Sequence, residues 1–146
     1  MKRQCSGVAM DCDTSPPGTK AMNEADTNGD TWCHGTIFKV LSYTNRAADV
    51  YTYDSSYKPV KSIPIVTGAT TYYYPNGEAF ILIINEALYY GNQLDHSLIN
   101  PGQIRHHGVG FWDNPYDHAH QLSIAVYDED VAIPLSYHGT KLTFES

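Results

Sequence analysis

Ala25-Asp26-Thr27-Asn28-Gly29-Asp30-Thr31-Trp32 packs two carboxylates, two hydroxyls, an amide and a flexible glycine into eight residues. It then runs into the apolar segment Ile37-Phe38-Lys39-Val40-Leu41. A polar knot beside a buried strand is costly unless its carboxylates are paired, hydrated or bound to something. What those carboxylates serve decides how the rest of the chain is read.

The chain is 146 residues long, enough for one domain with a real core. An apolar fraction of 42% with 17% charged residues suits a globular protein and argues against disorder. Twelve Tyr, eight Pro and eleven Gly lean towards β structure with many turns. A net charge of −7 without any basic run argues against nucleic acid as a partner. Cys5, Cys12 and Cys33 form an odd set without metal-like spacing, which favours a reducing, intracellular setting over a disulfide framework. A Cys5–Cys12 bridge is sterically conceivable, but nothing requires it. No apolar stretch follows Lys2-Arg3, so no signal peptide is expected. The longest apolar run, 79–84, is too short for a bilayer, and no membrane role is expected.

Residues 1–24 mix Ser, Pro, Gly, Asp and Thr without periodicity, and are read as a tail or peripheral strand preceding a domain over 25–146. Strands are expected over 36–43 and 48–53, then over 60–66, where Pro64 demands an edge or a bulge. Residues 48–68 thus read as a long hairpin with a tip at 54–59. A second hairpin turns at Pro75-Asn76-Gly77, and its return strand is apolar on both faces at Phe80-Ile81-Leu82-Ile83-Ile84. Pro101 and Gly108 bracket one short helix. Strands over 122–126, 131–135 and 141–144 close the chain. The class is all-β with one short helix.

The knot admits three readings. Asp26-Thr27-Asn28-Gly29-Asp30 opens like an EF-hand calcium loop, but its sixth position is Thr31 instead of Gly and its twelfth is Ile37 instead of Glu. No helical pattern flanks it. An Asx-turn without chemistry is the plain alternative. The third is a carboxylate at a strand end, followed by a hydroxyl and a turn small enough for substrate. Two such carboxylates brought together share one proton, because both cannot ionise. This chain holds one such motif, so the pair would require a homodimer with Asp26 on its two-fold axis.

Asp26-Thr27-Asn28-Gly29-Asp30-Thr31 resembles the active-site turn of retropepsins, where Asp-Thr/Ser-Gly-Ala-Asp is usual. Leu98-Ile99-Asn100-Pro101-Gly102-Gln103-Ile104 with Gly108 is similar to their second signature, two aliphatics entering a short helix. Glu86-Ala87-Leu88-Tyr89-Tyr90 resembles the strand before that signature in copia-type elements. The run from Asp26 to Asp117 is similar to the protease region of copia-like retrotransposon polyproteins. The resemblance implies a retropepsin-like acid-protease closed β-barrel, a homodimer without cofactor, and a polypeptide substrate of the Gag-Pol kind. It further implies a cytoplasmic location or one within retroelement particles. Carried over by residue, Asp26 is catalytic and Thr27 braces the dyad. Asn28, Gly29 and Asp30 line the substrate, with Asp30 binding its main chain or pairing with a basic residue such as Arg105. The hairpin at 48–68 supplies a flap, with Val66 and Gly68 at the substrate. The chain departs from the family at the third residue of the triplet, where Asn28 stands and the glycine is displaced to Gly29. Asn tolerates φ > 0 better than most residues.

Other residues invite different chemistry. His106-His107 and Asp117-His118-Ala119-His120 suggest a metal, but no third ligand is placed, so surface histidines near a helix end are expected. Asp95-His96-Ser97 cannot form a triad, since neighbours in sequence do not converge. Trp32 and Trp112 read as core or interface aromatics, and Tyr72-Tyr73-Tyr74 must expose at least one ring. The leading expectation is an aspartic endopeptidase. A catalytically silent β domain of the same fold, serving self-assembly or partner binding, is the alternative, and a calcium module ranks third.

Overall fold

The Asn76-Gly77 turn is closed by the Tyr74 N–H, which donates across the loop to the Glu78 carbonyl at 2.8 Å. Gly77 N–H donates back to the Tyr74 carbonyl at 3.0 Å, with Gly77 at φ +90°, a conformation side chains rarely adopt. The computed structural model describes residues 21–27, 29–52 and 54–146. The turn joins β4 (Val60–Tyr73) to β5 (Ala79–Gly91), paired antiparallel from Tyr73↔Ala79 to Ile65↔Leu88. The expected second hairpin is present.

β3 (Lys39–Val50) lies on the other side of β4, paired from Lys39↔Ala69 to Val50↔Val60. It joins what the sequence divides into two strands. Asn45, at φ +61°, absorbs a register shift between Tyr43 and Ala47, so the chain bulges without turning away. Pro64 pairs only with Ala47 of β3, and β5 joins β4 from Ile65 onward. Its missing N–H therefore removes no bond to β5, as expected of an edge or bulge position. Beyond Pro64 the hairpin continues as a two-stranded ribbon, with Tyr57 N–H closing its tip on the Asp54 carbonyl at 3.2 Å.

The remaining elements are β1 (Met22–Ala25), β2 (Cys33–Gly35), β6 (Ser97–Ile99), helix α1 (Pro101–His106), β7 (Gly110–Trp112), β8 (Ser123–Val126), a 3₁₀ turn at Tyr127–Glu129, β9 (Val131–Pro134), β10 (Ser136–His138) and β11 (Lys141–Glu145). One sheet has the strand order β10-β11-β1-β6-β2-β5-β4-β3, and a second has β7-β8-β9. β1 pairs parallel with β6 and antiparallel with β11. The described residues are all-β with one short α-helix, as expected.

The expected closed barrel is corrected. β10 and β3 stand at opposite ends of an open eight-stranded order, with no pairing between them among the described residues. The reason lies in what covers the apolar face. Phe111, Ile124, Val126, Val131 and Ile133 of the small sheet join Trp32, Phe38, Leu82, Ile99 and Phe144 in one core, and Ile104 of α1 adds to it. A second layer thus buries the face that closure would otherwise bury. Among the described residues, no helix is long and apolar enough to cross a membrane. Cys33 is a free thiol, and Cys5 and Cys12 lie outside the described residues.

Candidate functional site

β1 ends where the polar knot begins. The Asp26 N–H donates to the Ile99 carbonyl at 2.9 Å, one step beyond the parallel pair Ala25↔Ile99. The chain then turns through residues 27–31 and re-enters the sheet as β2, flanked by strands on both sides instead of the helices a calcium loop requires.

Two side chains at the start of α1 fasten this turn. Asn100 caps the helix, its Oδ1 accepting from the Gln103 N–H at 2.6 Å, while its Nδ2 donates to the Gly29 carbonyl. Gln103 Oε1 accepts from the Trp32 N–H at 2.8 Å and from the Thr31 hydroxyl at 3.1 Å. Local sequence explains the helix end: Pro101 stands in the first turn, where a missing N–H costs nothing, and Gly108 follows at φ +75°. Asn100 and Gln103 stand in the helix-opening stretch that the sequence singles out, but their grip on the Asp26 turn carries no local signal across 71 residues.

Asp26 is half-buried, and Thr27 and Asp30 are exposed. Asn28 lies outside the described residues. A Cβ on Gly29 would sit 3.5 Å from Asp26 Oδ2, an ordinary contact, so the carboxylate borders a position that glycine leaves open. Burial pushes the Cys33 thiol up to about 11, with the Asp26 carboxylate adding to the shift. Cys33 is therefore a protonated, weakly nucleophilic neighbour. Arg105 does not pair with Asp30. Its Nη2 donates to Asp113 Oδ1 at 2.9 Å and to the Phe111 carbonyl at 3.0 Å, because α1 runs directly into β7 and keeps the guanidinium beside that strand.

Val66 and Gly68 lie within β4, inward of the ribbon. Val66 has no exposed surface, and Gly68 packs on the His34 ring, where a Cβ would come within 2.6 Å of Cδ2 and Nε2. His34 joins this group without any signal in the sequence. Fully buried on β2, it stacks on Phe38 with ring centroids 3.9 Å apart, and its one polar neighbour of note is the Ile84 backbone, too poorly aligned for a hydrogen bond of ordinary geometry. Burial holds its pKa down at about 4.

The other histidines lie at the surface. His106 and His107 are exposed at the end of α1, and His120 stacks on Trp112 while bonding Asp117 Oδ2 at 2.8 Å. Ser97 turns inward to accept the Gly35 N–H at 2.9 Å, so Asp95, His96 and Ser97 do not form a triad. Trp32 is buried in the core, and Tyr73 is the exposed ring of its run. Comparison with protein-family models, with curated proteins and with solved structures gives no match.

Proposed function

We propose that this chain is an aspartic endopeptidase of the retropepsin type, assembling as a homodimer in which Asp26 of each copy contributes one carboxylate. The observation that carries this reading is Asp26 at the carboxyl end of β1, on a turn tied to α1 by Asn100 and Gln103. A general base must be held within fractions of an ångström, and this tether supplies such restraint. In the dyad, the ionised Asp26 takes a proton from water while its protonated mate hydrogen-bonds the scissile carbonyl. The water oxygen adds to the carbonyl carbon, and collapse releases the amine with a proton from the dyad. The ribbon beyond Pro64 serves as the flap, and a polyprotein of retroelement kind is the substrate.

A silent assembly domain is the second reading, favoured by β3. This twelve-residue edge strand exposes Leu41 and Tyr43, and edge strands recruit further strands when uncovered. Peptide-library cleavage between acidic and neutral pH decides, with Asp26→Asn alongside and pepstatin as inhibitor. Turnover in the parent chain that disappears in Asp26→Asn supports the protease. Undiminished turnover in Asp26→Asn sinks it, and no turnover in either chain with a dimer in sedimentation supports the silent domain.

A further inference from the structure

A cleft of about 290 Å³ opens between β5, α1 and the small sheet. Ile84 of β5, Ile104 of α1 and Ile124 of β8 give it an apolar part, and Asn85, Gln103 and His107 a polar one. Gln103 and His107 lie one helical turn apart, the His107 N–H donating to the Gln103 carbonyl at 3.3 Å, so their side chains are neighbours. Asn85 comes to the cleft from β5. Hydrogen bonding fixes what these three side chains can offer. Gln103 Oε1 accepts from the Trp32 backbone N–H at 2.8 Å. A backbone N–H can only donate, so the oxygen end of that amide is fixed and its Nε2 donors are left over. They have no partner among the described residues and are not sealed from solvent. Asn85 Oδ1 accepts from the Thr67 hydroxyl at 3.2 Å, which leaves its own amide donors, and the His107 ring makes no hydrogen bond among the described residues.

We infer that this cleft binds a small carboxylic acid as its anion, with the carboxylate at Gln103, Asn85 and His107 and an apolar body against Ile84, Ile104 and Ile124. An ionised carboxylate only accepts, which matches a set of side chains left with donors. No Asp or Glu lines the cleft to repel it. The three polar side chains are exposed or half-buried, so the anion keeps part of its hydration and avoids the cost of full burial. The volume is about twice that of an engineered cavity that holds benzene, which suits one ring or a branched chain together with its acid group. Gln103 gives the site its reach, since its oxygen holds the Trp32 N–H and Thr31 hydroxyl of the Asp26 turn while its nitrogen meets the ligand. Asp26 itself takes no part, so the inference holds or fails apart from the protease reading.

The test titrates the ¹⁵N-labelled full chain with 3-phenylpropanoate and with 3-phenylpropylammonium, which has the same ring and a donor-only head of opposite charge. The expected result is a saturable shift of the Gln103 side-chain amide and of the backbone amides from Gln103 to Val109 with the acid. The ammonium should bind about tenfold more weakly or worse. His107→Leu and Asn85→Ala, both at exposed positions, should each weaken the acid roughly three- to tenfold, the ratio for one modest hydrogen bond. Acetyl-Gly-Phe carries the same group at a chain end. Its binding more tightly than phenylpropanoate would identify a polypeptide terminus as the source of the carboxylate, and its binding more weakly a free acid. No movement of these signals at millimolar phenylpropanoate overturns the proposal, as does equal binding of the ammonium or undiminished binding in both variants. Movement of the same signals on dilution of the protein alone assigns the cleft to a second copy of the chain and also overturns it.

Discussion

The side-chain amide of Asn100 donates to the backbone carbonyl of Gly29 while its oxygen accepts the N–H of Gln103. One residue therefore caps the helix and ties down the turn that carries Asp26. Asn100→Ala should lower stability by about 1–3 kcal/mol, the sum of a lost cap and a lost partly buried hydrogen bond. Asn100→Asp keeps an acceptor for the helix and loses the donor for Gly29, so its loss should be smaller. Urea unfolding of the three proteins measures both steps.

His34 makes a definite statement about pH. Its folded pKa, about 4, lies below its ordinary value of 6.5, so between those values the unfolded chain binds the extra proton. The stability tied to a neutral His34 is fully present above about pH 6.5 and is lost as pH falls towards 4, by roughly 3 kcal/mol in all. His34→Leu should flatten this part of the profile relative to the parent. Denaturant midpoints at intervals from pH 7 to 4.5 give the comparison, and parallel curves for the two proteins would contradict it.

Gly68 is set by the same ring. Because a Cβ there would lie 2.6 Å from two His34 atoms, and the ring is held by stacking on Phe38, Gly68→Ala should cost about 1–3 kcal/mol. In a His34→Ala background the added methyl meets space instead of the ring, and its cost should fall. A thermal double-mutant cycle reads the coupling.

The ribbon beyond Pro64 has hydrogen bonds to one neighbour only, since β5 begins to pair at Ile65. Hydrogen exchange should therefore be faster for amides of Ala48 to Val50 and Val60 to Ile63 than for Val66 to Ala69, which sit between two strands. Equal protection in the two segments would mean that another part of the chain covers the ribbon.

Much of this fold announces itself locally. Asn76-Gly77 marks the second hairpin, and the Pro101–Gly108 bracket marks the helix to within two residues. The strands β2, β7 and β10 escape because three residues cannot establish a period of two. The break read at residues 44–47 is a bulge, since its Thr-Asn-Arg composition also suits a turn. Asp26 is legible as a candidate from its polar surroundings, but the tether from Asn100 and Gln103 depends on a parallel pairing that short-range patterns do not encode. His34 escapes for a different reason: between Cys33 and Gly35 nothing forecasts that an imidazole will be sealed under Gly68.

The position of β1 bears on how the molecule comes into being. Its two neighbours, β6 and β11, are both made long after it, whereas β3, β4 and β5 find their partners across nearby turns. On a ribosome the central hairpins can form while β1 waits with both edges bare for residues 97–99 and then 141–145 to emerge. The Asp26 turn is thus assembled late, and a nascent chain carries its sequence for most of synthesis without its shape.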